Sequence, residues 1–152
     1  MPTHDFGILL GLAYQSFVGE LHAELRRHGF KTKDIAPTHG YVLRAVADEP
    51  MNQRQLSKVL GITDQGTAKI VAEMERLRLL ARIDDPKDGR ARQLTLGSRG
   101  KELLRVARAF HARFERDLAK ELGAAVSTTR RVLEHVVART APATGPRRLR
   151  PM

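Results

Sequence analysis

One stretch, residues 53–96, limits the possible folds more than any other: QRQLSKVLGITDQGTAKIVAEMERLRLLARIDDPKDGRARQLTL. Leu56, Val59 and Leu60 recur at helical spacing, and Gly61 stops that short helix. Ile62 packs inward, and Thr63 suits an N-cap because its hydroxyl can accept a free N–H of the next first turn. Beyond it Ile70, Val71, Met74 and Leu77 fall on one face, with Gln65, Lys69, Glu73 and Arg76 elsewhere on the cylinder. Two helices joined by so short a glycine-containing turn form a helix-turn-helix, whose second helix is the one that enters a DNA major groove.

The residues that follow predict a hairpin. Leu79, Leu80 and Ile83 suit a short strand, and Asp85-Pro86-Lys87-Asp88-Gly89 is dense in turn formers. From Arg90 to Leu96 the chain alternates, with Leu94 and Leu96 on one face and Gln93 and Thr95 on the other. A strand, loop and return strand behind a recognition helix make a wing. Its tip carries Lys87, Arg90 and Arg92, long cations suited to phosphates or to a narrow minor groove.

These residues resemble the MarR family of winged-helix transcriptional regulators. The resemblance is carried by Leu56-Ser57-Lys58-Val59-Leu60-Gly61-Ile62, by Lys69-Ile70-Val71 with Met74-Glu75-Arg76, and by Asp85-Pro86-Lys87-Asp88-Gly89-Arg90-Ala91-Arg92 with Leu94, Leu96 and Gly100. It covers roughly residues 35–105 well and the flanking helices by pattern. Three positions depart from the family pattern. Arg78 stands where a glycine usually ends the recognition helix, so that helix closes differently or runs longer. Gly89 replaces a usual arginine and removes a wing charge. Gly97 replaces a usual threonine cap, leaving glycine or Ser98 to serve.

The flanking sequence extends this frame. Residues 6–28 read as one helix with Phe6, Leu10, Ala13, Phe17, Leu21 and Leu25 along a stripe, and Gly29 at its left-handed end. Pro37-Thr38 opens a second helix, with Thr38 as a candidate cap, and Asp48-Glu49-Pro50 ends it. Residues 97–122 carry Leu103, Ala107, Phe110, Phe114, Leu118 and Leu122 at spacings of three or four, and residues 126–139 form a last helix. From Thr140 on, prolines, a glycine and Arg147, Arg148 and Arg150 predict a disordered basic tail.

The expected fold class is therefore mainly α with a small two-stranded β wing. The whole chain reads as one subunit, a winged helix-turn-helix flanked by long N- and C-terminal dimerisation helices. Residues 6–34 and 97–139 supply those helices, residues 35–96 the DNA-binding region, and residues 140–152 the tail. The dimerisation role is what the resemblance implies, since such stripes alone more often mark an intramolecular core.

Composition narrows the function. Twenty-seven Lys and Arg against 17 Asp and Glu give a net charge of +10, which favours an anionic partner without choosing among DNA, RNA and acidic membrane. The chain has no cysteine, which removes disulfides, cysteine-ligated zinc and thiol redox sensing. No apolar run approaches the ~18 residues of a membrane span, and no signal peptide is recognisable, so a cytoplasmic protein is expected. No two of the six histidines share the spacing of a helical metal pair, so neither metal nor cofactor is expected. The absence of a Gly-rich phosphate loop and of a nucleophile elbow argues against an enzyme.

Binding is assigned residue by residue. Arg54 and Lys58 are candidate phosphate contacts, and affinity of that kind carries no sequence information. Gln65 suits adenine and Lys69 suits guanine, while Gly66 and Ala68 allow close backbone approach. Thr67 either turns toward the core or meets a thymine methyl. Asp64 either favours the positive helix N-terminus or reads a cytosine amine. The resemblance implies that Arg90 enters the minor groove, with Asp88 holding it by an ion pair; Lys87 and Arg92 read equally as solvated turn charges. It also implies a homodimer on a pseudo-palindromic operator, in a repressor released by a small aromatic or phenolic acid. Tyr14, Phe17, His39 and Arg44 are candidate liners of that pocket, although Tyr14 and Phe17 also suit a core and His39 the surface. The competing class is a general basic nucleic-acid binder, architectural or RNA-directed, without operator preference.

Overall fold

Among residues 4–139, which this computed structural model describes, six α-helices and a two-stranded sheet follow in the expected order. Helix α1 (Phe6–Arg27) stops where Gly29 takes φ +79°, with the amides of Gly29 and Phe30 donating to the carbonyls of Arg26 and Leu25. This closing pair of bonds also buries Phe30 against Leu25. A 3-10 turn, Thr32–Asp34, leads to α2 (Pro37–Asp48). Its N-cap is Ala36, and Thr38 lies inside the first turn, so Thr38 does not cap it. Pro37 sets the helix instead, its missing N–H being one that no helical carbonyl would have met.

Helix α3 (Gln53–Leu60) is capped reciprocally. The Gln55 amide donates to Asn52 Oδ1 at 2.8 Å, and the Asn52 amide to Gln55 Oε1 at 2.9 Å. Gly61, at φ +66°, turns the chain into α4 (Asp64–Arg76). Strands β1 (Leu80–Asp84) and β2 (Arg92–Leu96) pair antiparallel, Leu80 opposite Leu96 and Asp84 opposite Arg92. The amide of Leu94 donates to Met51 O at 2.8 Å, so the residue before the N-cap of α3 bonds the far side of β2. Helices α5 (Ser98–Leu122) and α6 (Ala125–Arg139) complete the described chain. The basic tail expected at residues 140–152 lies outside the described residues.

Helix α4 closes in an unexpected way. It ends at Arg76, and the amides of Arg78 and Leu79 donate to Glu75 O and Met74 O at 2.9 and 2.8 Å. That motif requires a left-handed residue, and Arg78 adopts φ +58° without being glycine. Arg78 O then accepts from the amides of Arg99 and Gly100, which fastens the start of α5 to the end of α4. Gly97 is the N-cap of α5, and Ser98 makes no capping bond.

One apolar core forms around the winged region. Leu43, Leu56, Leu60, Val71, Met74, Leu79 and Leu94 are all buried, joined by Leu103 and Val106 from α5. Burying each such side chain contributes roughly 1.5–3 kcal/mol. The two ends of the chain differ. Phe6, Ile8, Leu9 and Leu12 on α1 stand 42–58% exposed, and α6, with Leu133 and Val136 also exposed, has no buried residue. Helix α1 reaches the rest of the fold through buried Leu25, through Glu24, which pairs with Arg113 of α5 at 3.1 Å, and through Phe17, whose ring lies 5.5 Å from Phe110 and 5.1 Å from Phe114 on α5.

Candidate nucleic-acid interface

The front of α4 is built by one cap and one buried threonine. Thr63 Oγ1 accepts from the Gly66 amide at 3.0 Å, the capping bond expected from sequence. Thr67 is fully buried and its hydroxyl donates to Thr63 O at 3.0 Å, so it has no access to a thymine methyl. With Thr67, Val71 and Met74 turned inward, Gln65 and Lys69 face solvent one helical turn apart. Gly66 lies between them, half-buried. Arg54 and Lys58 are likewise exposed and one turn apart on α3.

Asp64, the carboxylate with two open readings, has a protein partner. The Ser57 hydroxyl lies 2.5 Å from Asp64 Oδ1 and 2.8 Å from Arg54 O. Its single proton goes to the carboxylate, since a charge-assisted hydrogen bond is the stronger. Asp64 thereby links α3 to α4 while its charge faces the positive N-terminus of α4.

In the wing, the turn between the strands is held by aspartates. The amide of Lys87 donates to Asp85 Oδ1 at 2.8 Å and that of Arg90 to Asp88 Oδ1 at 3.0 Å. Asp88 therefore holds Arg90 by its backbone, not by the expected ion pair. The Arg90 guanidinium pairs with no carboxylate among the described residues and, like Lys87, is exposed. Arg92 differs, with Nε 3.7 Å from Asp84 Oδ1 in an exposed, loose pair.

Sequence reasoning passed over two residues here. In the sequence Ser57 stands out only as part of a motif. Arg82, in the middle of β1, donates from Nε to Glu75 Oε1 at 2.9 Å and from a terminal nitrogen to Gln53 Oε1 at 3.1 Å. Both roles depend on partners 7 and 29 residues away, which no local pattern announces.

Away from this surface, a cavity of about 170 Å³ lies where α1, α2 and α5 meet. Tyr14, Phe17 and Arg44 line it together with His22, Tyr41 and His111, and no carboxylate does. His39 does not line it. That ring is 2% exposed, its Nδ1 accepting from the Ala36 amide at 3.2 Å, and burial holds its pKa below the usual histidine range. His111 is shifted the same way, by burial first and by the Arg44 charge second. Phe17 and His111 also edge a larger groove of about 510 Å³ between α5 and α6. Among the described residues no group of three or more metal-binding side chains converges, and no helix is long and apolar enough to cross a membrane.

Comparison with known proteins agrees with this geometry. Residues 33–91 match the model of the MarR family. No curated protein sequence matches the chain. Among solved structures, the transcriptional regulator Tm0710 from Thermotoga maritima is similar over 88% of this chain and 94% of its own, at 24% identity and TM-score 0.58. FabT of Streptococcus pneumoniae, in complex with DNA, is similar over 89% of this chain and 96% of its own, at 19% identity and TM-score 0.67. MepR of S. aureus, also in a DNA complex, covers 88% and 98%, at 17% identity and TM-score 0.66. The fold is thus the winged-helix arrangement of MarR-type regulators along nearly the whole described chain.

Proposed function

We propose that this chain is a sequence-specific DNA-binding transcriptional regulator of MarR type, working as a homodimer and by default as a repressor. The observation that carries the reading is the division of α4. Thr67, Val71 and Met74 are buried, which turns Gln65 and Lys69 outward behind a capped helix start. A glutamine amide and a lysine ammonium there suit the adenine and guanine edges of a major groove. Arg54, Lys58 and Lys87 suit phosphates, and the Arg90 guanidinium, which pairs with no carboxylate among the described residues, suits an adjacent minor groove.

Two copies account for the surface one copy leaves uncovered. The apolar residues of α1 and α6 form the kind of face that a partner's helices cover. A two-fold dimer sets two recognition helices about 34–36 Å apart, which calls for a pseudo-palindromic operator. The cavity at Arg44 suits a small aromatic acid, with rings against Tyr14 and Phe17 and a carboxylate toward Arg44 and His111. Such a ligand releases DNA only through a difference in affinity between DNA-fitting and non-fitting forms.

Selection of bound duplexes from a random pool tests the reading. A recovered two-fold motif, retained against excess bulk DNA at ~0.15 M salt, supports it. Recovery of no motif, with uniform salt-sensitive binding, points to the general basic nucleic-acid binder instead.

A further inference from the structure

We infer that Arg82 is a positioning residue that fixes the wing relative to the recognition helix, so that Arg90 meets DNA in register with Gln65 and Lys69; this rests on the DNA-binding reading above.

The strand register makes the case. Alternation puts Arg82 on the same side of β1 as Leu80, which is 3% exposed and part of the core. An arginine on the core-facing side of a strand is costly to bury unless its donors are met. Here two of its donors are met, by two different helices, and the side chain keeps 30% exposure to water. Nε reaches Glu75 on α4, and a terminal nitrogen reaches Gln53 at the first turn of α3. The side chains of Arg82 and Glu75 are 30% and 32% exposed, so solvent screens their pair less than a surface pair. The planar guanidinium holds both arms at a fixed angle, which a lysine cannot do.

The wing needs such a brace. Its sheet has two strands of five residues, rooted in the core by Leu80 and Leu94, and a hairpin of that size is marginal in water on its own. Its backbone ties, β1 to β2 and Leu94 to Met51, run within the sheet or to the segment before α3. Between α4 and β1 the chain passes through only Leu77, Arg78 and Leu79. Arg82 therefore adds a side-chain link between the wing's root and the recognition helix itself. With its Nε on Glu75 and a terminal nitrogen on Gln53, the guanidinium serves the protein, and its effect on DNA passes through Arg90.

The chain has no cysteine, so two spin labels can be placed cleanly, at Gln65→Cys and Lys87→Cys. Pulsed electron paramagnetic resonance on labelled chains diluted into unlabelled ones reads the distance from recognition helix to wing within one copy, without DNA. Native Arg82 should give one narrow distribution, which Arg82→Met broadens about twofold or more; Arg82→Lys falls between. Glu75→Gln and Gln53→Met, each loosening one arm, provide the same readout should Arg82→Met fail to fold. In unlabelled protein, Arg90→Ala should weaken retention of a selected duplex about tenfold with Arg82 present and under about threefold in Arg82→Met. Equally narrow distances in all these variants, or an Arg90 effect of the same size in both backgrounds, would overturn the inference. A native chain that holds no duplex would defeat the DNA reading, and the distance measurement would still decide what Arg82 does.

Discussion

The Ser57 hydroxyl and Asp64 Oδ1 sit 2.5 Å apart across the turn of the helix-turn-helix. Ser57 is buried and Asp64 exposed, so the bond anchors the start of the recognition helix to the helix behind it. Ser57→Ala should destabilise the fold by about 1–2 kcal/mol, the worth of a hydrogen bond to a partly solvated carboxylate. It should also weaken DNA binding, because the freed carboxylate is left to repel phosphate. Asp64→Asn keeps an acceptor and sheds the charge, so it should bind DNA as tightly as the native chain or tighter. Urea unfolding and duplex titration of both variants check this, and weaker binding by Asp64→Asn would instead favour the cytosine reading.

Wing and helix should fail differently. Arg90→Ala should weaken binding to all duplexes by about 1–3 kcal/mol and lower the salt slope by roughly one. Lys69→Ala should lose a similar amount and relax preference at one position per half-site. Fluorescence anisotropy across a salt series, on the selected duplex and its single-base variants, separates the two.

Gly89 offers the opposite test. It is exposed, its φ is not left-handed, and a Cβ there meets nothing within 4 Å. Gly89→Arg should therefore fold normally, tighten DNA binding about three- to tenfold and steepen the salt slope by about one. Unchanged affinity for Gly89→Arg would place the wing tip away from the duplex.

Two neighbouring positions set the junction of α4, β1 and α5. Arg78 takes a left-handed backbone that costs a non-glycine residue about 1 kcal/mol, so Arg78→Gly should stabilise by somewhat less than that. Gly100 is the reverse: a Cβ there would lie 2.0 Å from Leu79 O and 3.0 Å from Leu43 Cδ2. Gly100→Ala must push α5 off the end of α4 and should cost about 2–3 kcal/mol. Denaturant unfolding of the pair checks both signs, and a neutral Gly100→Ala would mean that the junction yields easily.

The sequence spoke plainly wherever structure is local. Thr63, Gly61 and Gly29 announced their caps, and the helices fell within a residue or two of their expected ends because their apolar spacing is periodic. Where partners are distant it was mute. Thr67 carries the same side chain whether it reads a base or fills a core, and only the packing of α4 decides. His39 looked like a surface residue or a pocket liner because one histidine has no period; its contact to the Ala36 amide is what places it inside. Asp88 and Arg90 are close enough for the ion pair the resemblance implied, yet the turn takes the carboxylate oxygen for the Arg90 amide. Helix α4 closes at Arg78 as a glycine would close it, because the two carbonyls it must satisfy are fixed by the core, not by the residue.

His39 gives the chain a pH dependence with a defined sign. Its folded pKa lies below the ordinary histidine value, chiefly through burial and against a smaller opposing pull from Glu73. The unfolded chain therefore binds the proton more readily than the folded one. Stability is full above about pH 6.5 and declines as pH falls below it, until the folded pKa is reached, by up to about 1.4 kcal/mol per pH unit. The neutral ring also supplies the Nδ1 lone pair that the Ala36 amide requires, which a second proton would remove. His39→Gln retains an acceptor for that amide but does not titrate, so its stability between pH 5 and 7 should be flatter than that of the native chain. Since His111 is shifted in the same direction, the flattening should be partial, and His39→Gln combined with His111→Gln should remove most of the remaining slope. Urea midpoints at half-unit pH steps measure it; a native slope that survives both substitutions would assign the dependence to other groups.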